Sequence, residues 1–422
     1  MGAVGGALPD GEPAPSDGAL PAHALTSVGE RGLGFYVHVP FCSVRCGYCD
    51  FNTYTPVELG AGPGRPSHAR QSYAAAATAE VRLARRVVPA DRPVDTVFFG
   101  GGTPTLLEPG ELIAVLDEIE RQFGLAPGAE VTTECNPDSV TRADLEALRA
   151  GGFNRISFGM QSAVPHVLRV LDRTHDPERV PGVVADARAA GFEQVSLDLI
   201  YGTPGESVRD WERSLQAAIA CAPDHVSAYA LIVEEGTALA RRVRRGEVPA
   251  PDDDDLADKY VIADEVLTGA GLGWYELSNW ARDEASRCRH NLLYWRGGDW
   301  WGVGPGAHSH VGGVRWWNVK NPNAWIAKLG SGDKLGSGAS LQSPASPAAA
   351  REVLDPDTRR VERILLETRL VEGLPLSVLE DRGRDSVRDL TGRGLLAPDP
   401  DRVLLTRQGR LLADAVVRDL VD

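Results

Sequence analysis

Cysteine and methionine are scarce in this chain, and long apolar runs are missing. Six cysteines and two methionines stand among 422 residues. Cysteines spread so thinly cannot staple a chain of this length, which excludes a disulfide scaffold and leaves metal or catalytic roles for any that cluster. No stretch approaches the roughly 20 apolar residues of a membrane-crossing helix. Basic charge is also short: 44 Lys and Arg against 59 Asp and Glu give a formal net charge of −15. That balance argues against bulk nucleic-acid binding, which needs a basic footprint, and against adsorption to anionic membranes. The residues before Arg31 hold no Lys or Arg and no apolar core run, so a secretory signal is not expected and the expected compartment is the cytoplasm.

What is present is enough apolar residue to build a sizeable core, in a chain long enough for two to three domains. Residues 1–30 are rich in Gly, Ala and Pro and read as a disordered tail. From residue 35 short β-branched runs alternate with helical patterns. The runs fall at 35–39, 94–99, 130–135, 155–158, 194–199 and 226–232; the helical patterns at 73–87, 109–123, 142–150, 177–190 and 208–221. Strand–helix alternation of this kind predicts βαβ units, a parallel sheet and an α/β fold, and six units suit a partial (β/α)6 barrel over residues 31–250. Polar and glycine-rich segments follow the strands, at the edge where barrels assemble chemistry. Residues 251–350 form a Trp- and Gly-rich extension whose last part, 330–350, reads as a flexible linker. Four consecutive aspartates at 252–255 suit a helix N-terminus better than a cation site. Residues 351–422 carry helical patterns, a short hairpin at 395–405 and a final helix, which predicts a small winged-helix-like α+β module.

The segment FYVHVPFCSVRCGYCDF sets Cys42, Cys46 and Cys49 at spacings of four and three directly after the first strand. Three thiolates on one loop can hold three irons of a cubane cluster and leave the fourth iron open. A structural zinc ion is the alternative. Zinc takes four ligands and commonly pairs two CxxC knuckles; no second knuckle exists, and His38 is the one nearby candidate for a fourth ligand. Cys135, Cys221 and Cys288 are scattered and read as small buried groups.

A cysteine triplet of this spacing after the first strand, with Gly100-Gly101-Gly102-Thr103-Pro104-Thr105 after the second, resembles the radical SAM superfamily. The resemblance implies a [4Fe-4S] cluster on the three cysteines. It also implies S-adenosylmethionine (SAM) on the open iron, cleaved by one electron to methionine and a 5′-deoxyadenosyl radical. Tyr48 matches the aromatic residue that the family places near the adenine. Position by position the chain is similar to a narrower group, the oxygen-independent coproporphyrinogen III oxidases and their relatives the heme chaperones. By that likeness Tyr36, Gly101 and Glu134 contact the first SAM, and Gly102, Thr103, Gln161, Arg173, Asp198 and Ala230 form the shell where the oxidases hold a second. The oxidases carry a further cysteine two residues after the third cluster ligand; here that residue is Phe51. His290, Tyr294 and Trp295 match the His-Asn-x-x-Tyr-Trp signature of the chaperones, with His290 a candidate heme ligand, Tyr294 and Trp295 candidates to cover the porphyrin, and His308 a second candidate ligand. The resemblance therefore implies a chaperone that binds heme and passes it to respiratory hemoproteins. In such a protein cluster and SAM govern dimerisation or heme release. An oxidase converting two propionates to vinyl groups, and a zinc-stabilised protein without redox function, remain the alternatives.

Overall fold

The computed structural model describes residues 10–61, 66–89, 92–330 and 345–421. Six parallel strands follow one another in sequence order: β1 (Leu33–Val39), β2 (Val94–Gly101), β3 (Leu125–Cys135), β4 (Arg155–Gln161), β5 (Gln194–Tyr201) and β6 (His225–Ala230). Helices His68–Val87, Pro109–Phe123, Arg142–Ala150, Val180–Ala189 and Val208–Ala220 connect them. Alternation along each strand explains the layering. Phe35, Val37 and Val39 are buried, and the Phe35 ring meets Phe123 of a covering helix at 5.0 Å. Tyr36, between them, points to the other face and meets Phe98. The outer face is thus an apolar layer under helices, and the inner face carries polar and aromatic groups. Each strand agrees with the expected run to within a few residues; the largest difference is in the third, which begins at Leu125 instead of residue 130, and the sixth ends at Ala230 instead of residue 232.

Residues 251–350 do not form a separate extension. They lengthen the barrel sheet at both edges. β7 (Gly273–Glu276) and β8 (Asn279–Ala281) join antiparallel beside β6. β9 (Asp299–Val303) pairs parallel with β1, and β10 (His308–Val311), β11 (Val314–Asn318) and β12 (Ala348–Val353) continue antiparallel beyond it. The result is one open sheet of 12 strands, a partial barrel with β12 and β7 at its edges. Of the expected linker, residues 331–344 lie outside the described residues, whereas β12 begins at Ala348.

The tail expectation is corrected over residues 10–30; residues 1–9 lie outside the described residues. Glu12 pairs with Arg351 on β12, and Ala24 is fully buried. The Gly29 N–H donates to the Asp299 carboxylate at 2.8 Å. The aspartate run starts a helix, Asp253–Gly269, as expected: Asp252 accepts from the Asp255 N–H, and Asp255 pairs with the buried Lys259 at 2.7 Å. The C-terminal module has its own core of Ile364, Leu374, Leu390, Val403, Val416 and Leu420, under a three-stranded wing. Arg410 fastens it to the barrel by donating to Asp264 at 3.0 Å. No helix among the described residues is long and apolar enough to cross a membrane.

Candidate functional site at the carboxyl edge of the barrel

The cysteine loop leaves the end of β1 and is tied on three sides. Toward its own far end, the Cys42 N–H donates to the Tyr54 carbonyl at 3.1 Å. On the β4 side the Gly47 N–H donates to the Leu171 carbonyl at 3.1 Å, and Leu239 donates back to the Gly47 carbonyl at 2.7 Å. A Cβ at Gly47 would sit 2.3 Å from the Asp172 carboxylate, so a larger residue there would have to displace that side chain. On the β9 side the Asn52 amide donates to the carbonyls of Pro305 and Lys320, each at 2.9 Å. These ties hold Cys42, Cys46 and Cys49 as free, half-buried thiols at one mouth of the barrel. Burial pushes the Cys49 thiol up to about 11 and raises Cys42 as well.

His38 cannot complete a zinc set in this arrangement. Its Nε2 lies 2.9 Å from the Asn52 carbonyl and its Nδ1 3.0 Å from the Tyr36 hydroxyl, so both nitrogens are engaged. The sulfur donors on the loop are the three free thiols. That set fits a cubane, in which each thiolate takes a different iron.

The inner wall beside the loop brings the other expected residues together. Gly102 and Thr103 donate to the carbonyls of Val39 and Phe41 at 2.8 and 2.7 Å, which lays the glycine segment against the cysteine loop. Gly101 has φ +106°, and a Cβ on it would lie 2.4 Å from the His38 ring. Its N–H donates to Glu134 at 3.1 Å. Burial, and then the nearby Asp198, push the Glu134 carboxyl up to about 8. Asp198 itself is raised by burial and accepts from the Ser157 hydroxyl at 2.9 Å. Arg173 donates to the Gly159 carbonyl at 2.8 Å and lies 3.7 Å from the Cys46 sulfur. Its Nε is buried with no partner, a donor free for a carboxylate. Gln161 sits at φ 60° where the β4 register shifts against β5, a backbone strain of the kind found at ligand sites. Tyr48 packs against the Val164–Val167–Leu171 cluster, and Ala230 ends β6 opposite Tyr201. A carboxylate, an unpaired guanidinium nitrogen and a glycine-lined backbone beside three thiols suit a ligand with ribose hydroxyls, an amine and a carboxylate.

The chaperone signature lies elsewhere. The segment 283–295 crosses the opposite, amino-terminal end of the strands and closes it. Glu130, opposite Thr96 in the β2–β3 ladder, accepts from the N–H groups of Arg289 and His290 at 2.9 and 3.0 Å, capping the helix Arg289–Trp295. Arg155 reaches down to the Ser286 carbonyl at 3.0 Å. His290 is 1% exposed. Its Nδ1 is 2.8 Å from the Thr96 hydroxyl and its Nε2 2.8 Å from the Tyr294 hydroxyl; its ring stacks on Phe98 at 5.2 Å. Burial lowers the His290 imidazole to about 3. His290 and Tyr294 thus stand in the barrel floor, with both imidazole nitrogens engaged by hydroxyls. Trp295 is buried beside Tyr275 and Leu370, not laid open for a porphyrin. His308 is exposed at the start of β10, its ring 6.0 Å from that of Trp317.

Residues 36–218 match the radical SAM superfamily. The chain is 51% identical over 390 residues to the heme chaperone HemW of Mycobacterium tuberculosis, covering 92% of this chain and 95% of that one. It is 30% identical to the heme chaperone HemW of Bacillus subtilis, covering 90% of this chain and 97% of that one. The chain belongs to the HemW family of radical SAM proteins. Among solved structures, Escherichia coli coproporphyrinogen III oxidase (HemN) superposes with a TM-score of 0.77 at 23% identity, over 94% of this chain and 92% of that one. That likeness shows a shared fold. Membership in the radical SAM superfamily implies a [4Fe-4S] cluster and SAM.

Several residues that organise this HemW-family barrel escape a motif search. Asn52 and Arg155 clamp the two ends, Ser157 orients Asp198, and Glu130 caps the floor helix. A sequence signal exists for two of them. Glu130 and Arg155 are charges inside strand runs, at inward-facing positions that an ordinary apolar core would not tolerate.

Proposed function

We propose that this protein is a heme chaperone, which binds heme and hands it to hemoproteins, respiratory ones among them, on a scaffold that carries a [4Fe-4S] cluster and SAM. The observation that carries this reading is the near-complete match to chains named heme chaperones, with Phe51 standing where the oxidases place a cysteine. Phe51 is 51% exposed at the cluster mouth and offers neither thiol nor proton to a substrate.

In this proposal Cys42, Cys46 and Cys49 hold the cluster. Held there, the cluster would supply an iron site for the amine and carboxylate of SAM and a source of one electron. Glu134 accepts the ribose hydroxyls, with Gly101 and Tyr36 lining the same wall. Arg173 holds a carboxylate by its unpaired Nε, and Tyr48 flanks the adenine. Gly102, Thr103, Gln161, Asp198 and Ala230 complete the inner shell. The floor helix serves heme from its outer side, and His290 and Tyr294 fix its orientation from within the barrel.

The test is an anaerobic incubation of the cluster-reconstituted protein with SAM, a reductant and coproporphyrinogen III, read by mass spectrometry beside an authentic oxidase. The reading expects no product that has lost two propionate carboxyl groups. Time-dependent formation of that product would make the protein an oxidase despite Phe51.

A further inference from the structure

A cleft of about 420 Å³ opens under the amino-terminal ends of β1 and β2, across the barrel from the cysteine loop. The volume falls in the range of small-molecule sites, roughly 300–1,000 Å³. One wall is the floor helix. Arg289, Leu292, Leu293 and Arg296 line the cleft at the one-face spacing of a helix, while His290 and Tyr294 point the other way into the barrel. The other wall carries Arg31 and Arg92.

Four guanidinium groups around one cleft run against a chain of net charge −15. One carboxylate, Asp95, shares the lining, and it is occupied by the Leu33 N–H at 2.9 Å. Each arginine is steadied by a contact that leaves other nitrogens free. Arg31 donates to the Arg296 carbonyl and lies 3.9 Å from Glu367. Arg296 pairs with Glu372, which Arg287 also holds. Arg92 and Arg289 have no carboxylate partner among the described residues. Arg92 donates to the Gly29 carbonyl at 3.2 Å, and Arg289 to the Gly128 carbonyl. Guanidinium groups positioned but not neutralised bind carboxylates or phosphates by paired N–H donors.

We infer that this cleft is the carboxylate-binding subsite for heme, with Arg92 and Arg289 gripping the propionates and Arg31 and Arg296 adding field at the rim. The inference rests on the heme-chaperone reading above and assigns it a place. Heme is a flat apolar ring with two carboxylates on one edge. The cleft takes that edge while the ring lies outward along the floor helix. Heme then docks on the outer face of the helix whose inner face closes the barrel. It stands one strand length, roughly 20 Å, from the cysteine loop, as seven residues of β1 span it.

The experiment is a heme titration of the full chain, followed at the Soret band, for the parent protein, Arg92→Gln, Arg289→Gln and the double variant. Heme dimethyl ester, lacking both carboxylates, is titrated in parallel. Each lost charge-assisted contact should weaken heme about tenfold or more, and the ester should bind the parent as weakly as heme binds the double variant. Iron content and SAM binding, read at the far end of the barrel, serve as folding controls and stay unchanged. Equal affinity of parent and double variant for heme would place the propionates elsewhere and overturn this site while leaving the chaperone reading standing. Displacement of heme by inorganic phosphate, lost in the double variant, supports the shared anion chemistry. Phosphate binding at the cleft without any effect on heme would overturn the inference. Heme binding by neither parent nor variants would overturn the chaperone reading itself.

Discussion

At the scale of single residues, the two ends of the barrel make separable predictions. Cys42→Ala, Cys46→Ala or Cys49→Ala should each abolish bound iron and inorganic sulfide after anaerobic reconstitution, because no further free thiol stands on the loop to replace the lost one. Retained iron and sulfide in any of them would contradict the cluster assignment. Glu134 gives a pH signature. Its carboxyl keeps its proton up to about 8 in the free barrel, whereas the ribose hydroxyls and the sulfonium charge of SAM favour the ionised form. Binding below that pH must release a proton. The dissociation constant for SAM should therefore fall as pH rises toward 8, by up to about tenfold per unit, and then level. Calorimetry across the range checks this, and Glu134→Gln should flatten the profile. At the floor, His290→Phe keeps a ring against Phe98 but orphans the Thr96 and Tyr294 hydroxyls, which should cost about 1–3 kcal/mol of stability. The Soret maximum of the heme complex should not move. A shifted maximum would make His290 the axial ligand after all.

At the scale of elements, the added strands depend on one buried carboxylate. Glu80, inside the helix His68–Val87, accepts from the Gly304 N–H at 2.9 Å, the Asn318 amide at 2.7 Å and the Trp325 indole at 2.8 Å. It thereby fastens the turn after β9, the end of β11 and the helix Pro322–Lys328 to the barrel wall. Glu80→Ala leaves the Gly304 N–H and the Trp325 indole without an acceptor, while the Asn318 amide keeps the Gly304 carbonyl, and should cost about 3 kcal/mol. A fall in the thermal midpoint checks it. Elements also divide what sequence could and could not tell. The six βαβ units were legible because period-2 runs and helical runs alternate without interruption from residue 35 to 232. The parallel pairing of β9 with β1 was not. Asp-Trp-Trp-Gly-Val is a short run with no crossover pattern of its own, and its register is set by a partner more than 250 residues away. The amino-terminal segment misled for a related reason. Its Gly and Pro content matches disorder, yet Gly11 is a close-packing position: a Cβ there would lie 2.7 Å from the Trp317 ring. His290 was legible as a marked residue but not as a floor residue, because the Thr96 partner that engages it lies 194 positions away.

At the scale of the whole molecule, cluster chemistry and heme are assigned to opposite mouths of one barrel, and the floor helix separates them. The inner column of Tyr36, Phe98 and His290 joins the two ends through rings in contact. The central claim is that the protein carries heme in order to give it up. The most direct measurement mixes the heme-loaded, cluster-containing protein with a heme-free b-type cytochrome and follows both Soret bands with time. The account predicts loss of the donor spectrum and growth of the cytochrome spectrum in equal amount. Heme that stays on the donor, or that never bound it in defined stoichiometry, would contradict the account.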